Sequence, residues 1–187
     1  MKRIFFPFFV LLSLSFLVYL LLPGASSIDD FPPPPDSQKS TLAGDTWQEP
    51  TLKAYYSDNF RDFVVPFYKN SYEGKSIIFF PAMKLNYPPE FAFTAIKDQT
   101  KSTYLEEVTY PFRDSLFING FEPFLSDGTP RYDGATKMGN DGQQYLTKVV
   151  IRYYPSSISS RIVFWFLVNL SFVLLYRISI FVFKPEK

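Results

Sequence analysis

The stretch YLTKVVIRYYPSSISSRIVFWFLVNLSFVLLYRISIFVF, Tyr145–Phe183, changes period part-way along, and that change decides the fold. Tyr145, Val149, Ile151 and Tyr153 alternate with Lys148 and Arg152, the two-residue period of a half-buried strand at the centre of a sheet. From Ile162 to Phe183 the alternation gives way to an apolar run containing Asn169, Ser171 and Arg177, flanked by Arg161, Lys184 and Lys187. That run is long enough to cross a bilayer. Only Ser156–Ser160 separate strand from span, so a folded domain hands its chain directly to a membrane helix.

The other end mirrors this. Ile4–Leu22 is apolar apart from Pro7, Ser13 and Ser15 and follows Lys2 and Arg3. At 1.5 Å per residue it reaches roughly 28 Å, close to the bilayer core. Its length fits an uncleaved anchor; Gly24 and Ser26 also suit signal cleavage, and both readings stay open. Asn169, with Ser171, and Ser13 or Ser15 are candidates for helix–helix hydrogen bonds. Arg177 lies near the C-terminal end of its span, where its stem reaches the headgroups. Both short tails are basic, which predicts cytoplasmic termini in a cell membrane and an extracytoplasmic central domain.

The expected organisation is an anchor over 1–22, a proline-rich tether over 23–50, a domain over 51–156 and a C-terminal span with its basic tail over 157–187. The tether reading rests on Pro32–Pro35 among Ser, Asp and Gln, a composition that favours extended chain without a packed core. In the domain, Leu52–Tyr56 alternates as a strand. Phe60, Phe63, Val64, Phe67 and Tyr68 form a helical stripe, capped by Ser57, Asp58 or Asn59 and kinked or broken at Pro66. Ile77–Phe80 reads as a short strand. A largely helical region is expected from Pro88 to Asn119, with Leu105, Val108, Phe112 and Leu116 on one face. Gly120 would end it in a Schellman motif closed by Leu116 and Phe121. Asp127-Gly128, Asp133-Gly134 and Asp141-Gly142 read as turns. The predicted fold is α+β: a small two-layer domain, mainly antiparallel sheet with helices on one face, between two transmembrane helices.

Composition narrows the chemistry. The chain has 19 basic and 18 acidic side chains and a net charge of +1, which gives no electrostatic case for nucleic acid. It has no Cys and no His, so thiolate, zinc–thiolate and Ser-His-Asp chemistry are excluded. Its 22 Phe and 13 Tyr suit a small aromatic-rich core. Gly74-Lys75-Ser76 lacks the earlier glycine of a phosphate loop, because Lys69 occupies that position. The Asp-Gly spacing does not match a calcium loop. Glu90, Asp98, Glu106, Glu107, Asp114 and Glu122 are available as a catalytic pair, yet no spacing singles out two, and solvated helix faces account for them.

KDQTKSTYLEE, residues 97–107, is polar within an apolar region and reads as the exposed face of a helix, a turn between two helices, or an interaction surface, the last with Lys97, Asp98, Gln99, Lys101, Glu106 and Glu107 as its candidates. Together with PFRDSLFINGFEP, residues 111–123, it resembles a block in uncharacterised membrane-anchored proteins of uncultured small-genome bacteria. The resemblance implies a bacterial envelope setting and carries no activity or site residue. The expectation is therefore a non-enzymatic subunit or scaffold, without cofactor or metal, whose partners are the lipid bilayer and other membrane proteins or a second copy. A ligand-binding or sensory module is the alternative, and a carboxylate-dependent envelope hydrolase the third.

Overall fold

The computed structural model describes residues 2–46, 50–87, 102–139 and 142–183. In chain order these form α1 (Lys2–Leu21), a 3₁₀ turn (Ile28–Asp30), β1 (Gln38–Lys39), α2 (Ala43–Thr46), β2 (Leu52–Ser57), α3 (Arg61–Glu73), β3 (Met83–Tyr87), β4 (Thr103–Thr109), β5 (Ser115–Phe121), β6 (Thr147–Tyr154) and α4 (Ile158–Val182). The chain divides into two compact units: Met1–Leu22 with Ser156–Lys187, and Pro23–Pro155.

The larger unit is α+β, built on a six-stranded antiparallel sheet in the order β1-β2-β6-β5-β4-β3. β6 lies inside the sheet between β2 and β5, as its alternation predicts. Strand register builds one buried face in rows. Tyr153, Leu116 and Val108 form one row, Ile151, Ile118 and Glu106 the next, and Val149, Gly120 and Tyr104 the third. α3 covers the β4–β5 part of the sheet with Val64, Val65, Tyr68 and Tyr72. Each fully buried Val, Leu or Ile here contributes roughly 1.5–3 kcal/mol. α2 lies against β2, and its Asp45 accepts from Lys148 Nζ at 2.9 Å. Lys148 alternates with Val149, so this single helical turn is tied to the opposite face.

Residues 103–119 correct the expected long helix: they are strand, turn and strand. Leu105, Val108, Phe112 and Leu116 do have helical spacing, but Tyr104, Glu106 and Val108 also alternate. Sheet pairing on both sides of β5 favours the second pattern, and Pro111 sits in the turn. Residues 88–101, which include the expected helix start, lie outside the described residues. Gly120 is a strand residue opposite Tyr104 and Val149, not a helix cap. Tyr110 to Arg113 form the β4–β5 turn, with Arg113 N donating to Tyr110 O at 3.1 Å and Phe112 at φ 62°. A non-glycine residue in that region costs about 1–3 kcal/mol.

Other expectations are also corrected. Ile77–Phe80 is a loop, and the strand that follows it is Met83–Tyr87. α3 runs through Pro66 without breaking, and its buried stripe is rotated so that Phe63 is exposed. The N-cap of α3 is Phe60, which makes no side-chain cap bond. The proline-rich segment is packed, not an unpacked tether. Ile28 and Phe31 are buried, and Phe31 lies against Tyr153 and Tyr72 with ring centroids 5.4 and 6.4 Å away. Ser27 and Asp30 close a capping box, and Asn59 Nδ2 donates to Pro35 O at 2.7 Å. Two apolar side chains beside the proline run supply the burial that composition alone concealed.

In the smaller unit α1 and α4 pair antiparallel. Phe9 meets Phe172, Ser13 meets Asn169, Phe16 meets Phe164, and Arg161 Nη1 donates to Leu20 O at 3.0 Å. Among the described residues, α4 is the helix long and apolar enough to cross a membrane, and α1 carries a shorter apolar stretch, Phe6–Leu21. Ser157 caps α4 by accepting from Ser160 N.

Candidate functional site

The start of α3 sits over a group of buried charges. Glu106 points from β4 into the buried face and is fully buried; Glu122, just beyond β5, is nearly so. Arg61 engages both carboxylates. Its Nε and Nη2 donate to Glu106 Oε1 at 2.8 and 2.6 Å, while its backbone N–H donates to Glu122 Oε1. Glu122 therefore supplies the acceptor that the α3 terminus lacks locally, and a carboxylate there also complements the helix dipole. Lys84 Nζ stands 3.2 Å from Glu106 Oε2, and Arg131 Nη2 stands 3.5 Å from Glu122 Oε2.

Gly120 makes room for this arrangement. A Cβ there would fall 2.0 Å from the Tyr104 ring, so only glycine lets that ring lie across β5. The ring then faces the Arg61 guanidinium, 5.4 Å from its centroid. Burial pushes the Tyr104 phenol above its ordinary range, helped by Glu122 and Glu106. Burial also raises Glu122, against the opposing pull of the Arg61 N–H and the cations Arg131 and Arg61.

Two open clefts flank Arg61. One, of about 250 Å³, is bordered by Tyr104, Glu122 and Arg131; the other, of about 310 Å³, by Lys69, Lys84 and Glu106. Both are at or below the small end of ligand sites. Each carboxylate has a cationic partner, so the arrangement is a clasp holding α3 to β4 and to the end of β5. Among the described residues no group of three acidic side chains could hold a metal.

A second buried group surrounds Asp114. Tyr153 Oη lies 2.7 Å from both Asp114 Oδ2 and Ala25 O and so bridges the two. Tyr72 Oη donates to Asp114 O at 2.6 Å, and Arg113 Nη2 donates to Pro23 O at 3.2 Å. The first residues of the larger unit are thereby fixed to its sheet.

The residues singled out from the sequence fall in different places. Glu106 is buried, which corrects its assignment to an exposed surface. Glu107 is half-buried and accepts from Ser115 Oγ at 2.5 Å. Glu106, Asp114 and Glu122 are buried, which corrects the expectation of solvated helix faces. Lys97, Asp98, Gln99 and Lys101, with Glu90, lie outside the described residues. In the helix pair, Ser13 Oγ donates to Asn169 Oδ1 at 2.7 Å and Asn169 Nδ2 to Trp165 O at 2.8 Å. Ser171 bonds back to Leu167 O, and Ser15 is exposed on α1. Sequence reasoning missed Arg61, Lys84, Tyr104 and Arg131. The available signal was the alternation of Tyr104, Glu106 and Val108, which puts a carboxylate in the core and so demands a cation. No protein-family model, curated protein or solved structure matches the chain.

Proposed function

We propose that the chain is a non-enzymatic subunit or scaffold of a membrane or envelope complex. In this reading α1 and α4 both cross the bilayer as an antiparallel hairpin, both termini are cytoplasmic, and Pro23–Pro155 is extracytoplasmic. The observation that carries it is the Ser13–Asn169 bond at 2.7 Å between two apolar helices. A polar pair satisfied between helices suits hydrocarbon, where each group lacks water. α4 has no buried residue, so its apolar surface calls for lipid or other helices. Lys2, Arg3, Lys184 and Lys187 agree with the orientation. The pairing of Glu106 with Arg61 and Lys84, and of Glu122 with Arg131, supports a structural use of those carboxylates.

The cleft bordered by Tyr104 and Arg131 favours a second reading, a ligand-binding or sensory module. Topology is tested with single cysteines, because the natural chain has none. In sealed vesicles of known orientation, Asp127→Cys should react with an impermeant maleimide from the extracytoplasmic side only. Leu174→Cys should stay protected from both sides. Reaction of Asp127→Cys from the cytoplasmic side overturns the orientation, and reaction of Leu174→Cys overturns the span.

A further inference from the structure

Pro23 follows directly on the last residue of the apolar N-terminal run, and the larger unit begins with it. Its carbonyl accepts from Ser76 Oγ at 3.0 Å and from Arg113 Nη2 at 3.2 Å. A Cβ on the next residue, Gly24, would stand 3.0 Å from Arg113 Nη2 and from Asp114 Oδ2, so the chain lies tightly against the β4–β5 turn. Two segments of the domain are thus fixed to the residue that follows the apolar run.

Both segments present large apolar side chains to solvent. In the Ser76–Phe80 loop, Ile77 is 70% and Phe79 97% exposed; in the turn, Phe112 is 63% exposed. The loop is anchored from behind, since Phe80 packs edge-on to Phe79 and to Tyr110, and Tyr110 stacks on Tyr72. Phe112 occupies position i+2 of a turn with proline at i+1 and takes positive φ, where glycine or asparagine is the unstrained choice. A bulky apolar residue kept largely exposed at a strained position points to use of its side chain. Neither Ser76–Phe80 nor Tyr110–Phe112 contains an acidic residue, and exposed Lys75 adjoins the loop.

We propose that Ile77, Phe79 and Phe112 form a lipid-interface patch, seated at the boundary of headgroups and acyl chains of the bilayer that holds the apolar helices. The inference rests on the membrane reading above. Exposed apolar clusters mark protein or membrane contacts. Attachment to Pro23 favours the membrane, because the loop and the turn are both held to the residue one peptide bond beyond the apolar run. Phenylalanine with a flanking lysine is also the chemistry of interfacial anchoring.

The test uses the full chain in vesicles of zwitterionic and anionic phospholipid, with an environment-sensitive fluorophore on one introduced cysteine at a time. The sites are Phe79→Cys, Phe112→Cys, Asp127→Cys and Leu174→Cys. Asp127 follows the opposite end of β5 from Phe112 and serves as the aqueous control. Labels at 79 and 112 should be quenched more by nitroxide-bearing lipid than by aqueous iodide, with the ratio inverted at 127. If either behaves like 127 while 174 is lipid-quenched, the patch proposal is overturned and the span stands. If 174 is itself aqueous, both fall. Shielding of 79 and 112 from both quenchers overturns the lipid assignment in favour of a protein partner or a second copy.

Discussion

Arg61 holds Glu106 through two nitrogens, Nε at 2.8 Å and Nη2 at 2.6 Å, although the carboxylate is fully buried and the guanidinium side chain is 39% exposed. The cost of desolvating Glu106 is therefore met from the edge of the core. Removing one partner of a buried pair strands the other charge, whereas replacing both with apolar groups is often neutral. Arg61→Ala should lower unfolding stability by about 3 kcal/mol, with Lys84 moderating the loss. Arg61→Met combined with Glu106→Leu should restore most of it. Urea denaturation of the full chain in mild detergent measures both; an additive loss in the double variant would contradict the clasp.

Glu122 gives the clasp a pH dependence. Burial raises its carboxyl above the ordinary 4.5, so the folded state holds this proton more tightly than the unfolded chain does. Its contribution is full below the ordinary value and declines as pH rises through the raised folded value. Glu122→Gln keeps an acceptor for the Arg61 N–H and cannot ionise. Its stability relative to the natural chain should improve as pH rises above the ordinary carboxyl value, measured by thermal melts in matched buffers. A difference that is flat or reversed with pH would place the charging cost elsewhere.

Gly120 is required by the ring it faces rather than by a turn. Gly120→Ala puts a methyl 2.0 Å from the Tyr104 ring and should cost about 2–3 kcal/mol as the ring is displaced. Adding Tyr104→Leu should recover part of the loss, because the two side chains compete for one space. A double variant no better than Gly120→Ala alone would mean that the clash is relieved in another way.

Ser13 and Asn169 join α1 to α4. Asn169→Leu should weaken their pairing by about 1 kcal/mol, the scale of polar contacts between membrane helices. Cysteines placed at Phe9 and Phe172, which touch across the pair, report this as slower disulfide formation. Ser13→Ala should add little once Asn169 is gone. An unchanged crosslinking rate in Asn169→Leu would remove the hydrogen bond from the account of pairing.

The legible parts of the fold were those whose pattern is local. β2 and β6 announced themselves by alternation, and Gly128, Gly134 and Gly142 take the positive φ that their Asp-Gly turns predict. β4 and β5 were obscured because Leu105, Val108, Phe112 and Leu116 also satisfy a helical period. The pairing that decides between the two readings involves β3 and β6 and is invisible to a local window. The buried clasp was hidden for the same reason. Arg61 lies 45 residues from Glu106 and 61 from Glu122, so no spacing rule joins them. Pro32–Pro35 masked Ile28 and Phe31, whose packing needs Tyr72 and Tyr153 from elsewhere in the chain.

The proposal that this chain works by assembling with other membrane proteins is tested most directly by isolating the tagged full chain from its native membrane. After crosslinking in situ and mild detergent extraction, mass spectrometry identifies what is bound and through which residues. The expected result is a stoichiometric membrane partner, or a second copy, crosslinked through Pro23–Pro155 or the outer faces of α1 and α4. A protein recovered alone and monomeric, with no intermolecular crosslink, would contradict it.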